Sequence, residues 1–196
     1  MRYSDHNMMH HESADHLTDQ AFMNLCQANP LLRLERTAGG EVEAMSPSGA
    51  KSGYRNLDLA GQVREWNRKA RHGFAFDSSS GFRLPNSAIR SPDTSWVKNE
   101  RWISLSAEEQ EQFAPLCPDF VVEIASPSDE REALRAKLRE YISQGARLGW
   151  LIDPFLREVE IYRPGQDAEL LSSPATLSGE DVLPGLVVDL SEILNG

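Results

Sequence analysis

Two carboxylates and one lysine occupy positions where a packing argument alone would not put a charge. The run Phe120 to Ile124, FVVEI, is apolar and β-branched except at Glu123, a composition that suits a strand buried on both faces. A carboxylate inside such a strand needs a counter-charge or a ligand. Asp93 opens a second strand-like run, Pro92-Asp93-Thr94-Ser95-Trp96-Val97. An aspartate after proline is commonly a turn residue, but here its position matters. If the two strands pair antiparallel, the start of one lies beside the end of the other, and Asp93 meets Glu123. Lys137 sits within the stripe Leu134, Leu138, Tyr141 and Ile142, whose spacing is that of a core-facing helix. Its ammonium either snorkels to water along the stripe or is answered by a carboxylate, with Glu123 the obvious candidate; spacing leaves both open.

Carboxylates at adjacent strand ends, with a lysine from the neighbouring helix, can hold a hard divalent cation and place a positive charge beside its bound water. Mg²⁺ (or Mn²⁺) takes one or two protein carboxylates and keeps several waters, leaving room for a phosphate oxygen and an attacking water. In that chemistry Asp93 and Glu123 are metal ligands, and Lys137 orients the water or stabilises charge on phosphorus. Asp119 shares the strand face of Glu123 but lies roughly 13 Å away along the strand, which suits a cap or an outer-shell role. Other chemistries have no footing: the chain has no GxxxxGK[ST] or GxGxxG loop, no GxSxG elbow and no HExxH.

The elements that must position these groups follow in order. Thr18 caps a short helix that carries Phe22, Leu25 and Cys26 on one face and ends at Pro30. Leu31 to Arg36 and Glu41 to Met45 alternate across Ala38-Gly39-Gly40 and read as a hairpin. Met45-Ser46-Pro47-Ser48-Gly49 breaks the second strand. A helix then runs from about Tyr54 to Ala70, with Leu57, Leu59, Ala60, Val63 and Trp66 available for burial and Gly73 as its left-handed cap. Its other faces carry Arg55, Arg64, Arg68, Lys69 and Arg71, which fit a solvated face, the commoner arrangement, or a phosphate-tracking one in which Arg55, Arg64 and Arg68 bind substrate. Short strands follow at Phe74 to Phe76 and Gly81 to Leu84, and a connecting helix lies within Glu100 to Pro115. After FVVEI, Ser126 to Asp129 turn into the helix of Lys137, with Asp or Ser as its cap. Trp150 to Ile152 and Glu158 to Tyr162 are strands joined by a turn at Asp153 to Arg157. Two short edge strands and a helical turn close the chain.

Composition sets the bounds. The chain has 196 residues, 40% of them hydrophobic, which fits one globular domain over residues 17–196 behind a polar stretch, 1–16, that reads as a disordered tail. That tail holds four of the five histidines scattered among polar residues, so solvated side chains are expected there. No run of residues is apolar enough to span a bilayer, and the N-terminus lacks a signal-peptide layout; the expectation is a cytoplasmic protein. Cys26 and Cys117 are the two cysteines, too few for a disulfide framework or a cysteine zinc site. A net charge of −10 argues against a general polyanion binder and leaves room for a local basic groove.

The segments GEVEAMSP, GFRL, SPDTSWV, PDFVVEIASPSD, KLREYISQGARLGWLIDP, VEIYRPG and VLPG, in this order, resemble the Uma-type restriction endonuclease family, a branch of the PD-(D/E)XK nuclease superfamily. The likeness runs over roughly residues 18 to 194. It implies an α/β fold, a restriction-endonuclease-like mixed β-sheet flanked by helices. It also implies a Mg²⁺-dependent endonuclease acting on DNA through a local basic groove, and a homodimer where both strands are cut. On this resemblance Asp93 is the PD aspartate, Glu123 the acid of the third motif and Lys137 its lysine. The chain departs from the superfamily at Ala125, where the motif places lysine, so the match requires a lysine displaced onto the following helix. It departs again at Tyr54 and Arg55, where members show a histidine. Two alternatives stand beside this expectation: a nuclease-fold binding or assembly module without turnover, favoured by the acidic charge, and a phosphohydrolase for a small substrate.

Overall fold

The computed structural model describes residues 17–45 and 49–195; the expected tail with its four histidines and the strand break at Ser46 to Ser48 lie outside them. In chain order the elements are α1 (Asp19–Ala28), β1 (Arg33–Arg36), β2 (Val42–Met45), α2 (Ala50–Ala70), β3 (Gly73–Asp77), β4 (Phe82–Arg83), β5 (Ile89–Arg90), β6 (Thr94–Lys98), α3 (Asn99–Ile103) and α4 (Ala107–Glu111). They continue as β7 (Phe120–Ile124), α5 (Arg131–Ser143), β8 (Leu148–Asp153), β9 (Glu158–Tyr162), β10 (Glu169–Ser172), β11 (Thr176–Ser178), β12 (Val187–Asp189) and α6 (Ser191–Asn195).

A six-stranded mixed sheet, order β10-β9-β8-β7-β6-β3, forms the centre. β7 and β8 run parallel, joined through α5, while β6 and β7 are antiparallel with Thr94 opposite Val122. All five residues of β7 are buried, as an apolar central strand requires. α2 covers one face, packing Leu59 and Val63 with Trp96, Phe120, Val122 and Trp150. α5 covers the other, packing Leu138 and Tyr141 with Val121 and Leu151. Strands β11 and β12 pair apart from the main sheet, and Leu177, Val188 and Ile193 close the α2 side. A smaller sheet, order β2-β1-β5-β4, carries the N-terminal hairpin.

Several local expectations change. α2 begins at Ala50, about a turn before Tyr54, behind an extended Gly49. Its buried stripe is Arg55, Leu59 and Val63, the i, i+4 set; Leu57, two residues from Leu59, points away and is 73% exposed. Arg71, not Gly73, takes the left-handed cap, at φ 56°. The stretch expected as one connecting helix is two, α3 and α4, the second opened by a capping box of Ser106 and Glu109. α5 starts from Glu130 without a side-chain cap bond, because the Asp129 carboxylate instead accepts from Ser126 N at 2.7 Å and closes the turn.

Gly73 serves packing. A Cβ there would lie 2.2 Å from the Val97 carbonyl and 2.5 Å from the Trp96 ring. Gly73→Ala is expected to cost about 2–3 kcal/mol, the range for overpacking against rigid groups; a melting temperature equal to that of the parent chain would show that β3 and β6 can separate freely.

Candidate active site

The register of β6 on β7 carries Asp93 to the level of Glu123. Asp93 Oδ2 accepts from Ile124 N at 2.9 Å, and Oδ1 accepts from Asn56 Nδ2 at 3.1 Å and faces an Arg33 guanidinium nitrogen at 3.3 Å. α5 lays Lys137 over the end of β7, with Nζ 2.9 Å from Glu123 Oε1 and 2.8 Å from Glu35 Oε1. The Lys137 side chain is 12% exposed, so it does not snorkel to water. Tyr141 Oη donates to the same Glu123 oxygen at 3.2 Å. Both polar contacts fall on Oε1; among the described residues nothing donates to Oε2, although Glu123 lines the cleft.

Glu35 did not stand out in the sequence. It lies in β1 and is 2% exposed, accepting from Ser91 N at 2.9 Å and pairing with Arg90 at 3.2 Å. Arg90 also holds Glu140 of α5, Nε to Oε2 at 2.7 Å, and pairs with Glu43 of β2. One arginine therefore ties the hairpin to the helix that carries Lys137. Alternation in a hairpin separates two faces without saying what covers each; here α5 brings Lys137 to Glu35 and the neighbouring β5 supplies Arg90, tertiary contacts that periodicity does not contain.

Two carboxylates share one ammonium, which leaves the trio one negative charge in excess. Burial pushes the Glu123 carboxyl up to about 7, the neighbouring Asp93 and Glu35 charges adding to it and Lys137 opposing. Burial also pushes Glu35 up, but Lys137, the Ser91 N–H and Arg90 outweigh it and hold that carboxyl below its ordinary range. Burial disfavours the charged Lys137, yet Glu123 and Glu35 together keep it protonated well above its usual range. The surplus charge thus resides on Glu123, the carboxylate that faces the cleft.

That cleft has a volume of about 790 Å³, with Asp93, Glu123 and Lys137 on its wall and Arg33, Lys51 and Arg55 beside them. Arg55 reaches it from the buried stripe of α2, its Nε donating to Ile193 O at 2.9 Å. Arg64 and Arg68 are not brought there; they line a separate depression with Gly61, Glu65 and Lys69. Asp119 stands at the opposite end of β7, where it accepts from Lys98 N at 2.9 Å and pairs with Arg101 at 3.0 Å. It works as a structural cap. Among the described residues no group of three or more His, Cys, Asp or Glu is arranged to hold a metal, and no helix is long and apolar enough to cross a membrane.

A mixed sheet with helices on both faces, and acids and a lysine gathered where two antiparallel strands begin and end, defines a restriction-endonuclease-like α/β fold. The chain belongs to the Uma2 family, described as "Putative restriction endonuclease", whose profile matches residues 19–191. A crystal structure of "a putative nuclease belonging to DUF820" from Anabaena variabilis ATCC 29413 is similar in fold, with TM-score 0.75 and 21% identity over 90% of this chain and 97% of that one. No curated protein matches the chain.

Proposed function

We propose that this chain is a metal-dependent endonuclease that hydrolyses DNA phosphodiester bonds, with Asp93 and Glu123 holding Mg²⁺ or Mn²⁺ and Lys137 positioning the attacking water. The observation that carries this reading is the excess negative charge at the cleft: Glu123 has an oxygen without a donor among the described residues, beside Asp93, on the wall of the cleft. Burial pushes the Glu123 carboxyl up to about 7 even with Lys137 beside it, and a bound cation would lower it again. Two carboxylates suit an ion that keeps most of its waters. Such an ion supplies Lewis-acid polarisation of a phosphoryl oxygen and eases deprotonation of a bound water.

The protein's own groups do the rest. Lys137, held protonated between Glu35 and Glu123, cannot serve as a base near neutrality. It acts as a fixed donor and positive charge, orienting water and meeting charge that grows on phosphorus. Arg33, which also pairs with Asp93, stands with Lys51 and Arg55 on the cleft wall, so the DNA backbone would meet cations beside the acids despite the net charge of the chain.

The test is calorimetry with Mg²⁺ across pH, joined to a cleavage assay on plasmid and single-stranded DNA. Glu123 must lose its proton for the ion to bind. Affinity is therefore expected to climb as pH rises through about 7, by up to about tenfold per unit below that value where one proton is displaced. Asp93→Asn should abolish both the heat and the cleavage. Metal binding that ignores pH, or an Asp93→Asn variant that cleaves normally, would remove these residues from the metal site. Absence of cleavage with either ion would leave a binding module instead.

A further inference from the structure

Resting on the nuclease reading, we infer that the cleft has a subsite for one unpaired nucleobase, built on Phe155. This residue lies in the turn between β8 and β9, lines the cleft, and is 48% exposed. Leu31, also on the cleft wall, is 85% exposed. A site that took only a phosphate and a hydrated ion would need cations and acids, and no apolar lip. Phe155 and Leu31 instead line the same cleft as Asp93, Glu123 and Lys137, a mixture of apolar walls and a few polar groups that suits an organic ligand.

The turn that carries Phe155 is braced by side-chain bonds. Asp153, 5% exposed, accepts from Phe155 N at 2.8 Å and Leu156 N at 3.0 Å and pairs with Arg131. Arg131 in turn donates to Ser126 O at 3.1 Å and Asp129 O at 2.9 Å. Its guanidinium carbon is 5.7 Å from the Phe155 ring centroid, and that of Arg55, anchored on Ile193 O, is 5.6 Å away. The ring and two guanidiniums are thus fixed before any ligand arrives, so little ordering entropy remains to be lost on binding.

An aromatic ring among arginines beside a phosphate-binding cleft is the chemistry of a base-stacking platform. Within a duplex the base faces are already stacked on their neighbours, so contact with Phe155 requires an unpaired or extruded nucleotide next to the scissile phosphate. The substrate class that fits is a DNA strand with a single-stranded segment at the cut.

Binding, read apart from cleavage, tests this. The full chain is titrated by fluorescence anisotropy with a labelled single-stranded oligonucleotide in Ca²⁺, and with a matched oligonucleotide whose central residues are abasic. Phe155→Ala is expected to weaken binding of the base-containing strand by about 5- to 100-fold, with Phe155→Trp retaining or improving it. On the abasic strand all three proteins should agree. Equal losses on both strands would overturn the subsite, since the ring would then only hold the cleft's shape, and so would an unaffected Phe155→Ala. A wild-type chain that binds neither these strands nor a duplex of the same sequence would overturn the nuclease reading and the subsite together, whereas one that binds the duplex alone, or binding that ignores Phe155, overturns the subsite alone.

Discussion

Lys137→Ala is expected to lose metal-dependent cleavage by at least about 10²- to 10³-fold, the range for removing one fixed donor from a developing charge. It is also expected to lose about 3–5 kcal/mol of stability. The second effect follows from the side chain's neighbours. Lys137 Nζ is 2.8 Å from Glu35 and 2.9 Å from Glu123, and both acids are nearly inaccessible. Deleting the ammonium leaves the buried Glu123 without its counter-charge and Glu35 with Arg90 alone, and breaking a buried pair from one side is among the costliest single changes. Activity loss in this variant would therefore be ambiguous by itself. The double variant Lys137→Ala/Glu123→Gln separates the two causes: with Glu123 neutral, Glu35 still has Arg90 at 3.2 Å and Ser91 N at 2.9 Å, so most of the stability should return. Cleavage should not. Urea unfolding of the single and double variants, beside turnover measured well below their transitions, decides it; a double variant as unstable as the single one would show that Lys137 matters for packing and not for charge.

Much of this site was legible because the signals were local. A carboxylate in a β-branched run, an aspartate at the head of the next strand to pair with it and a lysine in an apolar helical stripe each break a periodic pattern, and the structure brings these three together. The hairpin and the Thr18 cap follow from turn and capping chemistry, and β1, β2 and α1 stand where those rules put them. What the chain concealed depends on contacts between distant elements. Glu35 and Arg90 carried no signal of their own, since nothing in a two-stranded hairpin says that its polar face will be covered by α5. Arg55 was grouped with the basic residues of the other faces, although 55, 59 and 63 form one i, i+4 row of α2. Gly73 resembled a cap by position beside His72; its role against Trp96 and the Val97 carbonyl belongs to the β3–β6 pairing. Phe155 resembled any turn residue until Arg55 and Arg131 were placed beside its ring.

Glu123→Gln should do the opposite of Lys137→Ala in one respect: it removes cleavage and metal binding while making the protein more stable. Of the charges Glu35, Lys137 and Glu123, the last is the surplus, and removing it leaves Lys137 and Glu35 as a neutral pair. The substitution keeps the side chain's shape and an acceptor oxygen for Tyr141 Oη, now 3.2 Å from Oε1. Because the folded carboxyl is raised to about 7 from an ordinary 4.5, its protonated form favours the folded state, and that contribution is lost as pH rises through about 7. The gain in the variant is therefore expected above neutrality, about 1–3 kcal/mol at pH 8, and should vanish below about 4.5, where Glu123 carries its proton in both states. Adding Mg²⁺ should narrow the gap at pH 8 by stabilising the parent chain alone. Urea unfolding at pH 4.5 and 8, with and without Mg²⁺, measures all of this. A variant destabilised at pH 8 would mean that Glu123 is a net structural partner of Lys137, as in an ordinary buried salt bridge. A stabilised, inactive variant would identify a carboxylate that costs the fold stability and is there for the ion it binds.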